Sequence, residues 1–334
     1  MKIIRPPQQS LDNDYIALLR NKYGERKNFD FFEDDARKAW NFCITNDKLN
    51  FYPLAGHADG KLEAHAALII DKRLPAGEAF FGFMEFPDND LIFKNLWNAL
   101  VTEAREKGIT VLRGPVNGSI WHQYRCLRES DGSDFFKAEP MAESYYYNYL
   151  VSNKPFKQVD YISAYRKPFD IVLRFIDKKA LEKMTSLGFT IKEINCVDPG
   201  ILGDLAKISK AVFSQSWGYT ELTLNEFMEL YTLDKMASHL GSLYLLYKGS
   251  TVIGFCSTSQ EDEETLICKT IALLPEYQGL GLGNALAYQV HQDATARGYK
   301  KMIYALIREG NNIKNFPQEQ AVIFRKYAAF EFNL

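Results

Sequence analysis

The stretch that most constrains the fold of this chain is residues 265–297, where an extended apolar run, a glycine-rich turn and a helical pattern follow one another. The apolar run ends at Pro275, and the turn after it carries glycine at alternate positions, Gly279, Gly281 and Gly283. Glycine has no Cβ atom, so a ligand can approach the backbone of such a turn closely. The helix then begins with unpaired N–H groups and the positive end of its dipole. This order predicts a phosphate-binding site ahead of the helix.

The residues around the glycines distinguish between known phosphate-binding turns. The P-loop of nucleotide hydrolases requires Gly-Lys-Ser/Thr after the glycines, and this turn has none. A dinucleotide-binding turn requires another glycine three residues after Gly283, where Leu286 stands. A glycine-rich connection without any ligand remains the alternative from the turn alone.

The pattern Gln278-x-x-Gly281-x-Gly283, after a strand that ends in Leu-Leu-Pro-Glu-Tyr, resembles the pyrophosphate loop of the GNAT acyltransferases. The resemblance extends from residue 189 to the end of the sequence. The phrases FGFME at 81–85, RGPVNGS at 113–119 and WGY at 217–219 also resemble a bacterial family of tandem GNAT-like proteins. The resemblance to the GNAT acyltransferases implies acetyl-CoA, or another acyl-CoA, as the cofactor.

The first half of the chain repeats the order of the second half. Aligning Gly108 with Gly298, an offset of 190 residues, places Phe83 on Leu273. It also matches the apolar positions of the two predicted helices that end at these glycines. At this offset, Gln278, Gly281 and Gly283 correspond to an acid and two bulky side chains, Asp88, Leu91 and Phe93. An anion would meet negative charge and no space there, so we expect the second copy alone to bind the coenzyme.

The predicted fold class is α/β, with two tandem GNAT-like domains, each a mostly antiparallel mixed sheet flanked by helices. We expect a degenerate domain at 1–167, a linker at 168–188 and the coenzyme-binding domain at 189–334. The first copy continues far enough past Phe156 for a final strand, whereas the second stops soon after Phe330. The second sheet is therefore expected to lack one strand or to take it from another segment.

The resemblance implies cofactor contacts along the end of one strand, through the loop and after the next strand. The strand at Ile271–Leu273 should separate from residues 301–306, and the backbone N–H of Leu273 should stabilise the oxyanion. Asn312 stands where the family places an asparagine, Asn311 is a rival, and a turn-forming role is the alternative for both. The implied cofactor-binding residues are Ile271, Ala272, Leu273, Gln278, Gly279, Leu280, Gly281, Leu282, Gly283, Asn284 and Asn312.

Two departures from the family pattern affect catalysis. Ile267 stands where histone-modifying relatives have a glutamate. Arg325 stands where the family usually has the tyrosine that protonates the leaving thiolate, in a run expected to be helical. Tyr327, two residues later, is our candidate for this general acid, and a tyrosine that only packs is the alternative. Cys268 could form an acyl-cysteine, although a cysteine in a strand is more often inert core.

The resemblance implies an N-acyltransferase that moves an acetyl group directly from acetyl-CoA to the amine of a small or amino-acid-like acceptor. Trp217, Tyr219 and Asn117 are the candidate acceptor-binding residues; an aromatic pair can hold an amine by cation–π contact, and a core position is the alternative for the tryptophan. Competing hypotheses are an inactive acyl-CoA-binding scaffold and transfer of an aminoacyl group from tRNA.

Composition limits the partners. The formal net charge of −2 over 334 residues gives no basis for nucleic-acid binding. Residues 1–10 lack the apolar core of a signal peptide, and no apolar run approaches the roughly 20 residues of a membrane helix. The five cysteines are widely spaced without a C-x-x-C pair, which argues against a zinc site and favours a reducing compartment. We expect a cytoplasmic monomer or homodimer without metal, membrane or nucleic-acid partners.

Overall fold

A computed structural model describes residues 3–5, 12–168, 178–194, 198–231, 241–309 and 321–334. Contacts between residues divide the chain into two units. Unit 1 comprises residues 1–161 and 325–334, and unit 2 comprises residues 162–324. This division differs from the expected boundaries in two places. Residues 162–188, expected as the end of the first domain and a linker, group with unit 2, and residues 325–334, expected in the second domain, group with unit 1.

The elements of unit 1 are four helices and a series of strands. The helices are α1 (Asp12–Tyr23), α2 (Phe29–Thr45), α3 (Asp90–Glu106) and α4 (Tyr145–Ser152). The strands are β1 (Ile3–Ile4), β2 (Leu49–Ala58), β3 (Lys61–Asp71), β4 (Glu78–Glu85), β5 (Val111–Gly114), β6 (Val116–Asn117), β7 (Gln123–Tyr124), β8 (Cys126–Ser130), the first half of β9 (Lys157–Arg166) and most of β15 (Val322–Asn333).

The sheet of unit 1 runs in the order β1-β2-β3-β4-β5-β15. All neighbours are antiparallel except β4 and β5, which are parallel. The last strand pairs with β8 along residues 325–328 and with β5 along residues 330–333. One face of this sheet packs against α3 in an aromatic core that includes Phe81, Phe93 and Phe332.

Unit 2 contains α5 (Lys178–Ser186), α6 (Pro199–Phe213), α7 (Leu224–Leu230) and α8 (Leu282–Ala296). Its further strands are β10 (Phe189–Ile194), β11 (Leu243–Lys248), β12 (Thr251–Gln260), β13 (Thr265–Leu273) and β14 (Lys301–Arg308). The sheet order is β9-β14-β13-β12-β11-β10, with β10 to β13 antiparallel and β13 parallel to β14. The mixed α/β class and the central sheet flanked by helices are as expected from the sequence.

Each sheet contains a strand from the other half of the chain. The second half of β9 lies beside β14 in unit 2, where the Leu306 N–H donates to Ser163 Oγ at 3.0 Å. Residues 325–334 belong to unit 1, where Tyr327 and Phe330 have no exposed surface. We expected the second sheet either to lack one strand or to take it from another segment; the second alternative is confirmed, because β9 lies beside β14.

Local signals explain where the helices begin. Asn89 accepts a hydrogen bond from the Ile92 N–H and caps α3, and Asp198 does the same for α6 through Ile201. Helix α8 differs because its N-cap is Gly281, in the left-handed conformation with φ 81°. No helix in the described part of the chain combines the length and apolar character needed to cross a bilayer.

Candidate active site

The wedge between β13 and β14 in unit 2 starts at a bulge. Within the described residues, the parallel pairing runs from Thr265 opposite Lys301 to Cys268 opposite Tyr304 and then ends. On the other edge of β13, the register with β12 shifts so that Lys269 is an extra residue. A bulge bends its strand and increases the local twist, which turns the end of β13 away from β14. The expected separation of these two strands is confirmed.

The backbone of Leu273 points into this wedge. Leu273 lies opposite Gly254 in the antiparallel pair, and the adjacent Leu274 N–H donates to the Ile253 carbonyl at 2.9 Å. Hydrogen-bonded and non-hydrogen-bonded pairs alternate along an antiparallel ladder, so the amide and carbonyl of Leu273 face away from β12. Its carbonyl accepts a hydrogen bond from Gln278 Nε2 at 2.9 Å. The N–H is thus directed where the oxyanion donor was expected.

The loop from Gln278 to Gly283 presents its amides ahead of α8. Gly279 and Gly281 have φ of 77° and 81°, and a Cβ added at either position would have no atom within 4 Å. Their requirement for glycine comes from the left-handed backbone, not from crowding by the protein. The first intrahelical bond runs from the Ala285 N–H to the Gly281 carbonyl at 3.1 Å. The amides of residues 282–284 therefore have no acceptor within the helix, and the exposed loop is suited to an anion.

The residues expected to bind the cofactor differ in their exposure. Ile271 and Leu280 are 39% and 45% exposed and present apolar side chains beside the wedge and the loop. Ala272 and Leu282 are buried, so neither presents its side chain to a ligand. A Cβ added at Gly283 would lie 3.3 Å from Leu273 Cδ1, which shows how closely α8 approaches the strand.

The exposed side chains around this loop carry both signs of charge: Glu276 stands in the turn before the loop, and Lys248 stands at the end of β11. Lys248 Nζ lies 5.5 Å from the centre of the Tyr277 ring and 5.6 Å from that of Phe189. Tyr277 ends the short 3-10 turn, Pro275–Tyr277, that leads from β13 into the loop. The ammonium group therefore lies beside the approach to the amides, where it favours a negatively charged ligand.

A buried pair that the sequence did not point to lies beneath the wedge. His291 of α8 is 3% exposed; its Nδ1 donates to the Ala287 carbonyl at 2.5 Å and its Nε2 contacts the Tyr304 hydroxyl. Because Nδ1 carries the proton, Nε2 accepts the hydrogen bond from Tyr304. Burial lowers the pKa of His291 to about 4 and raises the pKa of Tyr304. This neutral pair ties α8 to β14 where the strands separate, and a histidine on an apolar helical face was its only sequence signal.

Other predicted residues are not arranged as expected. The helix expected around Tyr327 is wrong: the residue lies in β15, within unit 1, and its hydroxyl donates to Glu139 Oε1 at 2.5 Å. Full burial in that hydrogen bond removes the basis for its expected role as an acid. Cys268 is 7% exposed, with its Sγ 3.8 Å from that of Cys256, in agreement with a core position. Asn312 and its rival Asn311 lie outside the described residues.

The candidate acceptor-binding residues separate into two groups. Trp217 is 6% exposed in the connection between α6 and α7, so it is mainly a core side chain. Tyr219 is partly exposed, and burial followed by the nearby Glu221 carboxylate raises its pKa. Asn117 belongs to unit 1, where its Oδ1 accepts a hydrogen bond from the Phe83 N–H at 2.7 Å. Of the three, Tyr219 alone combines a place between the unit 2 helices α6 and α7 with a partly exposed side chain.

Among the described residues, no three His, Cys, Asp or Glu side chains lie close enough to hold a metal ion. No curated protein sequence significantly matches the chain. Residues 205–315, which include the wedge and the loop, match the model of the acetyltransferase (GNAT) family.

Solved structures extend the likeness to both units. A tandem GNAT protein from the clavulanic acid biosynthesis pathway is 8% identical with a TM-score of 0.61, and the alignment covers 99% of this chain and 98% of that one. A glucosamine N-acetyltransferase region in a fungal multi-domain GH3 β-N-acetylglucosaminidase is 12% identical with a TM-score of 0.60, covering 99% of this chain but 38% of that protein. A probable N-acyltransferase from Enterococcus faecalis is 8% identical with a TM-score of 0.58, covering 98% and 71%. Residues 205–315 therefore resemble the acetyltransferase (GNAT) family in sequence, and the chain as a whole has a fold similar to that of a tandem GNAT protein.

Proposed function

We propose that unit 2 is an N-acetyltransferase that uses acetyl-CoA as donor and the amine of a small or amino-acid-like molecule as acceptor. The observation that supports this most strongly is the combination of a bulged, separated strand with an amide-rich loop one turn later. Either feature alone occurs in other folds. Together they offer an extended backbone edge and an anion site at its end, as a long ligand with a terminal pyrophosphate requires.

The residues present fit this donor. The amides of Gly279 to Asn284 would hold the pyrophosphate, since no side chain crowds Gly279 or Gly281. The free edge of β13 at Ile271 and Leu273 would pair with the amide groups of the pantetheine arm as an added strand does. The exposed side chains of Ile271 and Leu280 would cover its apolar parts.

When bound, acetyl-CoA supplies an acetyl group activated as a thioester. The Leu273 N–H would donate to the carbonyl oxygen of that group, where negative charge develops during attack by the amine. Holding donor and acceptor together accounts for much of the rate in such a direct transfer. The acceptor must lose a proton before it attacks, and Ile267, 1% exposed, offers no base at the position where histone-modifying relatives have one.

Binding of the donor is tested by Gly281→Glu, which places a carboxylate where the pyrophosphate would lie. We expect the Kd for acetyl-CoA, measured by isothermal titration calorimetry, to rise by about a hundredfold or more, which corresponds to about 2.8 kcal/mol. Gly60→Glu is the matched control, because Gly60 also has a positive φ, 77°, and open space around it, and it lies in unit 1. An unchanged Kd in Gly281→Glu, or equal loss in both variants, would contradict the assignment of the loop.

Turnover is a separate question from binding. A panel of amines and amino acids, assayed for release of the free thiol of coenzyme A, should identify acceptors whose acetylation requires an intact loop. The second candidate function, an acyl-CoA-binding scaffold, is favoured by Ile267 and by the burial of Tyr327 in unit 1. Tight binding with no thiol release on any amine would support the scaffold and refute the transferase.

A further inference from the structure

The bulge in β13 exposes a lysine in the middle of the unit 2 sheet. Lys269 is the extra residue of the bulge, one position after the last parallel pair, Cys268 opposite Tyr304. The strand is central, between β12 and β14, and Leu266 and Ile267 before the bulge are 6% and 1% exposed. A charged residue is unusual in a strand that is covered on both faces. The exposure of Lys269 therefore marks an opening in the cover of the sheet.

Two hydroxyl groups lie beside this lysine. Thr270 follows Lys269 and is opposite Ser257 of β12, so the threonine and serine side chains lie on the same face of the sheet. Cys256, the neighbour of Ser257, packs in one core with α8, so Ser257 and Thr270 face away from that helix. On their face, Phe255 is 6% exposed, whereas both hydroxyl residues are partly exposed. The two hydroxyls therefore line the opening on the side of the sheet opposite α8.

These three polar groups are not engaged by the parts of the chain that the structure describes. Within those parts, the Lys269 ammonium and the hydroxyls of Ser257 and Thr270 make no hydrogen bond or ion pair. Neither hydroxyl oxygen is an enclosed atom. The ammonium of Lys300, by contrast, pairs with Glu264. An ammonium beside two hydroxyls is suited to a carboxylate, which accepts charge-assisted hydrogen bonds from all of them.

The corresponding positions of unit 1 are apolar. At the repeat offset of 190 residues, the serine, lysine and threonine correspond to Ala67, Ala79 and Phe80. None of these three has any exposed surface. The polar set thus belongs to the unit that has the amide-rich loop, as expected of groups that serve a ligand and not the fold.

We infer that the acceptor of the unit 2 transferase is an amino acid whose carboxylate is bound by Lys269; this rests on the proposed function. The ammonium pairs with the carboxylate, and the hydroxyls of Ser257 and Thr270 donate to its oxygens. Leu273 is four residues farther along β13, roughly 13 Å at the usual strand rise. The long, flexible lysine side chain and the amino acid together span this gap, which leaves the amine beside the thioester.

Matched pairs of amino acids and their α-amides test this inference, with kcat/KM measured from release of the coenzyme A thiol. Each amide keeps the amine and the side chain but lacks the negative charge. We expect the wild type to acetylate its preferred amino acid at least about tenfold more efficiently than the amide, and Lys269→Met to reduce this ratio to about one, mainly through a higher KM. The amine of an amide is the less basic of the two, so basicity cannot produce a preference for the acid. Thr270→Val removes one hydroxyl and should lower the ratio by less than about tenfold.

Lys183→Met is the matched control, because Lys183 is an exposed lysine of α5, which packs against α8. This variant should keep the wild-type ratio. Equal turnover of acids and amides by the wild type, or an unchanged ratio in Lys269→Met, would overturn the inference and leave the transferase standing. A loss of acetyl-CoA affinity in Lys269→Met as large as its loss of kcat/KM would assign the lysine to the coenzyme and overturn it as well. No thiol release by the wild type on any amine would refute the proposed function, and the inference with it.

Discussion

In both units a parallel pair of strands comes apart after a few residues. In unit 2 the pairing ends at Cys268 and Tyr304, and in unit 1 it ends at Phe80 and Arg113. The backbone beyond that point differs. The Leu273 N–H faces the wedge, whereas the N–H of Phe83, its counterpart in the repeat, donates to Asn117 Oδ1 at 2.7 Å. Unit 1 therefore satisfies this donor with its own Asn117 side chain, whereas in unit 2 the corresponding N–H faces the wedge.

Space is removed in unit 1 as well. A Cβ added at Gly82 would lie 1.9 Å from the Val116 carbonyl oxygen, so the chain after β5 passes directly against β4. The start of the following helix is also occupied, because the Asn89 side chain caps α3, while α8 begins at a glycine without a side-chain cap. The two units thus share separated strands and differ in whether the neighbouring amides are already paired, and unpaired amides are what an anion requires.

The largest effect is expected from removing residues 325–334. These residues form unit 1 contacts, with Arg325, Tyr327 and Phe330 almost fully buried. Loss of Phe330 alone should cost about 3–5 kcal/mol, and a domain has about 5–15 kcal/mol in total. Hydrogen exchange should show that β3 and β4 lose protection in the truncated chain while β11 and β12 keep it. Loss of protection in unit 2 alone would contradict the assignment of these residues to unit 1.

The next largest effect is expected from lowering the pH, which should destabilise the two units to different extents. The pKa of His291 in unit 2 is about 4, against an ordinary 6.5, because the ring is buried. Between these pH values the unfolded histidine binds a proton that the folded one does not. The free energy of unfolding of unit 2 is therefore unaffected by this group above pH 6.5 and falls by about 3 kcal/mol toward pH 4. His65 has the same effect in unit 1, where burial also lowers its pKa to about 4.

Unit 1 has an opposing group. Burial raises the pKa of Glu139 to about 7, with Arg325 acting against the shift. The folded state then binds a proton that the unfolded carboxylate lacks between pH 7 and 4.5, so this group favours folding as the pH falls. We expect β11 and β12 to lose hydrogen-exchange protection at pH 5 before β3 and β4. His291→Gln should reduce the acid sensitivity of unit 2, and an unchanged pH profile in that variant would refute the role of the histidine.

These differences show what the sequence alone could predict. The loop and the separated strand follow one another within a short segment, so residues 265–284 carry their own signals of glycine, proline and an apolar run. The location of Tyr327 depended on pairing with β5 and β8, far earlier in the chain, and its aromatic spacing fitted a helix equally well. Likewise, the bond between Phe83 and Asn117 joins segments on two strands, and neither residue type specifies it locally.

A moderate effect is expected from Asn117→Leu. The substitution leaves the Phe83 N–H buried without its acceptor, which should lower the free energy of unfolding of unit 1 by about 1–3 kcal/mol. Urea unfolding followed by tryptophan fluorescence in a Trp217→Phe background measures this change, because the remaining tryptophans, Trp40, Trp97 and Trp121, all lie in unit 1. Asn148→Leu, on the exposed side of α4, is the control and should change stability little. Equal stability of the two variants would mean that closure of the unit 1 wedge does not depend on Asn117.

The smallest effect concerns the carbonyl groups of Leu273 and Phe83, the two residues that correspond in the repeat. The Leu273 carbonyl accepts from Gln278 Nε2 at 2.9 Å, and the Phe83 carbonyl is bonded by His65 Nδ1 at 2.7 Å. Gln278 is exposed, and its hydrogen bond attaches the loop to the strand. Gln278→Ala removes this bond, which should weaken binding by about 1 kcal/mol and so raise the Kd for acetyl-CoA by less than tenfold.

The matched control is Gln289→Ala, which removes a glutamine that bonds Asp293 farther along α8. Calorimetric titration with acetyl-CoA should give a Kd for this variant equal to that of the wild type, because residue 289 lies beyond the loop. A hundredfold loss in Gln278→Ala would mean that the side chain contacts the coenzyme directly, since a single supporting hydrogen bond cannot account for it. No loss would mean that the glycine backbone holds the amides without help from the strand, and the contrast with Phe83 would then rest on the N–H groups alone.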